Sequence, residues 1–221
     1  MSIWRALGFG TLVLALAACG NDPDKPKVGL TALKGVLAKV GGGDEAPASP
    51  TADQLRAAVT PEYRAQSGNQ PILLASSLRV PVSSLMVMAG ENGDVRTYFS
   101  PDQISFSLRN GVVVASRGLG EDLLRADVSQ VQARIQEGAG QAVRIHHYLD
   151  GENQNVTRRY NCLYETVGGE VVETCTGQDA RFTNRYALNS DGKIVVSVQW
   201  VSPKLGSYRL EDLGVGELSE G

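Results

Sequence analysis

Along the chain the apolar residues fall into three regimes. From Ala6 to Ala18 they form one run diluted only by small residues. From Asn21 to Pro50 the composition turns to Gly, Pro, Asp and Ala, the make-up of a tether, although Leu30, Leu33, Leu37 and Val40 recur at the spacing of a short amphipathic helix. Beyond Pro50 the pattern becomes periodic. Thr51 and Gln54 have the spacing of a capping box, and Leu55, Ala58, Val59 and Glu62 share the face of a helix that Pro61 ends or bends. Leu123, Leu124, Val128, Val131 and Ile135 predict a second helix within 123–136.

Most of the remainder alternates with period two, the mark of antiparallel strands joined by tight turns. Asn110-Gly111 predicts a hairpin whose register places Ile104, Phe106 and Leu108 on one face with Val113 and Ala115, and carries Arg117 to that same apolar side. Val143, Ile145, His147 and Leu149 point one way and Arg144, His146, Tyr148 and Asp150 the other, so the first set is expected in the core and the second toward solvent. Phe182, Tyr186 and Leu188 lead through Asn189-Ser190-Asp191-Gly192 into Ile194, Val196, Val198 and Trp200, with Trp200 on the core face. Gly168-Gly169 reads as a two-residue hairpin loop. Counting outward from Val167 opposite Glu170 brings Cys162 opposite Cys175 at a non-hydrogen-bonded site, where Cα atoms approach to about 4.5 Å. A cross-strand disulfide is the expectation.

These elements add up to a mainly β fold: an antiparallel curled sheet or barrel-like domain with a few short helices, closed up because an open sheet must cover its apolar face and edges. A single mainly antiparallel β domain is expected over residues 51–221. Ahead of it, the apolar run behind Arg5 is too short to span a bilayer, which takes about 20 residues, and has the layout of a secretory signal peptide over residues 1–18. Leu16-Ala17-Ala18-Cys19 resembles the lipobox of bacterial lipoprotein precursors. Cys19 is thus the expected lipidated N-terminus of a tether over 19–50, anchored by acyl chains that contribute about 0.8 kcal/mol per buried methylene. Gly20, by resemblance to lipoprotein sorting signals, favours the outer membrane.

Charge and candidate chemistry narrow the function. The formal net charge is −3 and the basic residues are scattered, which offers nucleic acid no basic stripe. His146 and His147 are the only histidines, and neighbours on a strand face opposite ways, so they cannot share one metal or one proton. His147 is expected to be a core or sheet histidine; His146 beside Asp150 reads equally as an orienting pair or as a solvated face. There is no Gly-x-Ser-x-Gly elbow or phosphate loop, and Glu121-Asp122 and Glu211-Asp212 are adjacent rather than facing. No metal or cofactor is expected. Arg117 on an apolar face needs a partner, since a lone buried charge is costly; Asp122 or Glu121 supplies it in a structural salt bridge, with a ligand contact at Arg117 and Asp122 as the alternative.

Taken together, the Leu-Ala-Ala-Cys lipobox, Arg109-Asn110-Gly111-Val112, Ser116-Arg117-Gly118-Leu119-Gly120-Glu121-Asp122-Leu123, the two cysteines, Phe182-Thr183-Asn184-Arg185-Tyr186 and Ser197-Val198-Gln199-Trp200-Val201-Ser202-Pro203 resemble the group 4 capsule lipoprotein family of the YjbF/GfcB type. The resemblance implies a non-enzymatic outer-membrane lipoprotein, its domain facing the periplasm, that assists exopolysaccharide or capsule assembly or export. On that expectation its partners are the membrane, through the lipid, and polysaccharide or export proteins. A periplasmic polysaccharide-modifying enzyme and a structural envelope lipoprotein are the alternatives.

Overall fold

The computed structural model describes residues 49–214, apart from Asp150, Gly151 and Asn153. Cys19, the signal segment and the tether lie outside the described residues. The described chain begins with two short helices. α1 (Ala52–Ala57) carries the full capping box, with Thr51 Oγ1 accepting from Gln54 N and the Gln54 side chain accepting from Thr51 N. α2 (Pro61–Gln66) starts on Pro61, whose missing N–H costs nothing in a first turn.

Twelve strands follow: β1 (Ile72–Ser77), β2 (Ser83–Asn92), β3 (Val95–Phe99), β4 (Ser105–Arg109), β5 (Val112–Arg117), β6 (Arg125–Asp127), β7 (Gly140–Leu149), β8 (Asn155–Val167), β9 (Glu170–Thr176), β10 (Arg181–Leu188), β11 (Ile194–Ser202) and β12 (Gly206–Asp212). They form one antiparallel sheet in the order β5-β4-β3-β2-β1-β12-β11-β10-β9-β8-β7-β6. The end strands β5 and β6 are consecutive in the chain and lie side by side, with Ser116 N on β5 donating at 2.9 Å to the carbonyl of Leu123 just before β6, so the sheet curls into a nearly closed barrel. Two of the tight turns are those the sequence predicts, whereas the Gly93-Asp94 turn between β2 and β3 went unpredicted. Asn110 and Gly111 both take positive φ, as do Gly168 and Gly169, the backbone that a two-residue hairpin loop requires.

One end of the barrel is capped by α3 (Val131–Glu137), which buries Val131 and Ile135. Its Gln132 and Gln136 donate to the carbonyls of Asn110 and Gly192 in two hairpin turns, and Thr166 Oγ1 donates to Gly138 O just beyond it. The helix is shorter than the apolar spacing over 123–136 suggests. Arg125–Asp127 pairs with β7 instead, and Asp127 accepts from Ser129 N in a local turn. Leu123, Val128, Val131 and Ile135 do all reach the core, but Leu123 and Val128 from irregular chain on either side of β6 and only Val131 and Ile135 from the helix. β1 is buried on both faces because Leu73 and Ala75 enter the barrel while Ile72 and Leu74 pack under α1 and α2 with Leu55, Tyr63 and Leu85.

Three face assignments differ from the sequence reading. On β7 the interior set is Ala142, Arg144, His146 and Tyr148, while Leu149 is exposed and His147 half-buried. Hydrophobicity alone favours the opposite phase, but the barrel interior contains partners for the polar set. In the β4–β5 hairpin a bulge at Val114 shifts the register, pairing Leu108 with Val113 but Ser107 with Ala115, so Ser116 turns inward and Arg117 outward. The inward-turned Val113 N–H and Gly111 carbonyl are satisfied from across the barrel by the Gln199 side chain, at 2.8 and 2.7 Å. β11 likewise buries Ser197 and Gln199, and a register shift between Trp200 and Ser202 brings Trp200 to the core.

Candidate functional site

The hairpin register predicted from the glycines is the observed one, with Thr166 opposite Val171 and Cys162 opposite Cys175. A disulfide joins the two cysteines, at a Cα–Cα distance of 4.0 Å, and faces the barrel interior. Period two then forces Glu173 inward beside it. Glu173 is fully buried and accepts five hydrogen bonds: from Arg144 Nε (2.6 Å) and Nη2 (3.0 Å), Asn184 Nδ2 (2.7 Å), Tyr186 Oη (2.7 Å) and Tyr164 Oη. Burial by itself pushes this carboxyl up, but the Arg144 guanidinium and these donors hold it below the ordinary carboxylate range. Burial opposes the Arg144 charge, and Glu173 restores it, keeping Arg144 firmly protonated. Burial raises the Tyr164 and Tyr186 hydroxyls, so both remain donors.

Beyond this network lies an aromatic cluster. Phe182 and Trp200 stack at 4.2 Å, His146 lies nearly parallel to both, and Tyr160 meets them edge-on. Tyr148 Oη donates to Val201 O at 2.6 Å, so at 2.9 Å from His146 Nδ1 it accepts that nitrogen's proton. This leaves Nε2 as a buried lone pair with no partner among the described residues. Burial, reinforced by the Arg144 guanidinium, keeps the ring neutral far below its ordinary pKa. His147 instead meets Thr157 Oγ1 near the outer surface. Asp150 lies outside the described residues.

Arg117 and Asp122 make no ion pair with each other among the described residues. Arg117 donates across the seam to the carbonyls of Leu123 and Leu124, both at 3.1 Å. Asp122 accepts from Ser116 Oγ and from the N–H groups of Gly118 and Leu119. Each therefore holds the β5–β6 connection through backbone groups, and the lysine Lys204 reaches the neighbouring Glu121 at 3.4 Å. The expectation of an Arg117 salt bridge fails because the bulge at Val114 turns its side chain out of the core, where carbonyls serve in place of a carboxylate.

Among the described residues the ligand-type side chains close enough to share a metal are Cys162, Glu173 and Cys175. Both sulfurs are consumed by the disulfide and the carboxylate is held by Arg144, so this grouping offers no free thiolate. The buried acid, base and phenols are bonded to one another rather than to an open cleft.

The opposite, solvent-facing side of β7–β10 is more open. A groove of about 440 Å³ runs over it, walled at the β7 edge by Gln130, whose Oε1 accepts from Val143 N at 3.2 Å. Sequence reasoning did not find this groove, because its lining is the residue set left over once the inward positions of four strands are known.

No described helix is long and apolar enough to cross a membrane. No curated protein matches the chain. Among solved structures, the crystal structure of the hypothetical lipoprotein YmcC from Escherichia coli K12 is similar with a TM-score of 0.58 and 12% sequence identity, over 67% of this chain and 88% of that one. At that identity the likeness is one of fold. Residues 53–213, nearly the whole described domain, match the family model described as group 4 capsule polysaccharide lipoprotein gfcB, YjbF. The chain belongs to the YjbF group 4 capsule polysaccharide lipoprotein family.

Proposed function

We propose that this protein is a non-enzymatic envelope lipoprotein, anchored in the outer membrane through Cys19 with its barrel facing the periplasm, that assists capsule or exopolysaccharide assembly or export by binding on its outer surface. The observation that carries the reading is how the reactive groups are distributed. Arg144, Glu173, Tyr164 and Tyr186 are buried and bonded to one another, which rigidifies a scaffold, whereas the solvent-facing side of the same strands carries a groove of uncommitted polar side chains. A general acid or base must reach its substrate, and these buried groups do not face solvent. Family membership supports the capsule context, and the lipobox supports the anchor.

The test is a strain lacking the protein, complemented with wild type or with Cys19→Ser, in which cell-associated and secreted polysaccharide are measured. Loss of polymer that only the lipidatable form restores is the expected result. Unchanged polymer on deletion would overturn the reading, and full rescue by Cys19→Ser would overturn the requirement for the anchor.

A further inference from the structure

The outer-face groove is built from two neighbouring cross-strand rows. One contains Gln141, Leu163 and Thr174, paired strand to strand across β7, β8 and β9; the next contains Asn161, Thr176 and Arg181 across β8, β9 and β10. Four adjacent strands make a platform roughly 14 Å wide at their usual spacing. Among the described residues none of the polar members has a side-chain hydrogen-bond partner within the protein, so amide, hydroxyl and guanidinium groups all face outward uncommitted. Leu163, 51% exposed, supplies an apolar floor between them.

The charge of this platform has one sign. Neither row contains a carboxylate, and Arg181 has no ion pair among the described residues. Arg159, two positions before Asn161 on the same face of β8, has none either. Nearby acids are otherwise engaged: Asp179 with Arg158 at 2.8 Å and Glu170 with Arg185 at 3.3 Å. Glu165, one row toward the hairpin turn, sits on the side away from Arg159. A protein-docking face is typically built around aromatic and aliphatic anchors. Here the groove presents planar amides, hydroxyls and the guanidinium of Arg181 around a small apolar floor, with the Arg159 guanidinium just beyond it on the same face of β8. Those are the groups that hydrogen-bond sugar hydroxyls and pair with carboxylates.

We propose that the groove over the outer face of β7–β10 binds a segment of acidic polysaccharide, its carboxylates held by Arg159 and Arg181 and its hydroxyls by Gln141, Asn161, Thr174 and Thr176. This rests on the capsule-associated function proposed above and adds the site and the chemical class of the ligand. Because the side chains point to solvent, they can be replaced without disturbing the buried network.

The experiment titrates the lipidated full-length chain in detergent with oligogalacturonates and, separately, with cello-oligosaccharides of matched length. Calorimetry reads affinity, and hydrogen exchange maps the contact. Oligogalacturonate is expected to bind, to protect the β7–β10 strands, to weaken as salt rises and to bind about tenfold or more tightly than the neutral oligomer. Arg159→Gln/Arg181→Gln is expected to remove that preference with unchanged thermal unfolding, and Asn161→Ala to weaken both ligands. Equal affinity for the neutral oligomer, protection elsewhere on the barrel, or undiminished binding by the double variant would each overturn the proposal. The deletion strain complemented with the double variant separates the two readings. Full polymer rescue by a variant that has lost the oligogalacturonate preference would sink the part of the groove in capsule assembly and leave the capsule role intact, whereas unchanged polymer on simple deletion would sink the capsule role; in either case the titration judges binding at the groove.

Discussion

Replacing Glu173 by Gln preserves the shape of the buried side chain and removes only its charge. Arg144, whose side chain is 3% exposed, then sits among two tyrosines and an amide with no anion. A guanidinium cannot neutralise itself by losing a proton. Breaking a buried pair from one side leaves an uncompensated charge and costs about 3–5 kcal/mol, a large part of the total stability of a domain. The mirror variant, Arg144→Met, strands a carboxylate that still has Tyr164, Tyr186 and Asn184 as donors and can take up a proton. Its cost should therefore begin to shrink as pH falls toward the ordinary glutamate range, because burial without the guanidinium raises the stranded carboxyl, whereas the cost of Glu173→Gln should stay level there and shrink only below that range, where wild type itself loses the Glu173 contribution. Arg144→Met/Glu173→Gln, with neither charge, should lose less than the sum of the single losses by at least about 1 kcal/mol. Urea unfolding followed by fluorescence measures all three, since Trp200 stacks on Phe182 in the interior next to the network. A cost below about 1 kcal/mol for Glu173→Gln, or additivity of the two changes within about 0.5 kcal/mol, would refute the reasoning that each charge of this buried pair depends on the other.

Other consequences follow from the same interior. His146 has a folded-state pKa far below that of the unfolded chain, so unfolding takes up a proton and stability should decline as pH drops below about 6.5, by up to about 1.4 kcal/mol per pH unit from this group. His146→Phe should flatten the stability profile between about pH 6.5 and pH 5, above the range where Glu173 contributes, and an unchanged slope would assign the effect elsewhere. Cys162→Ala/Cys175→Ala opens a short covalent loop and should cost roughly 3 kcal/mol, read as a fall in Tm that added reductant reproduces in wild type; an unaltered Tm would deny the clamp. Gly177→Ala places a Cβ 2.5 Å from Tyr160 Cδ1 and 2.9 Å from the Arg159 carbonyl, an overpacking of about 1–3 kcal/mol, whereas Gly90→Ala, with nothing within 4 Å, should be near neutral in the same melt.

Much of the architecture is legible in local pattern because local physics decides it. The capping box at Thr51 and the positive-φ pairs Asn110-Gly111 and Gly168-Gly169 act over a few residues, and from the second pair the alignment of Cys162 with Cys175 follows by counting. Period-two alternation likewise sets the antiparallel class. Glu173 was within reach of the same reasoning: once both cysteines face inward, the residue two before Cys175 must do so too. What alternation cannot supply is which of two phases is inside. On β7 the apolar phase is Val143, Ile145 and Leu149, yet the barrel takes Arg144, His146 and Tyr148, because β8, β9 and β10 bring Tyr164, Glu173, Asn184 and Tyr186 to meet them. Those partners lie 29 or more residues from Arg144 where Glu173 and Tyr186 are concerned, and they are assembled only by sheet order. The bulge at Val114 is similar: nothing within the hairpin announces it, and its freed N–H is satisfied by Gln199, 86 residues away. Neighbours along the chain are enough to set the Asn110-Gly111 and Gly168-Gly169 turns, the strand class and the disulfide register; which polar residues are buried is settled only once the sheet is assembled, because a buried charge is tolerable only where distant strands deliver its partners.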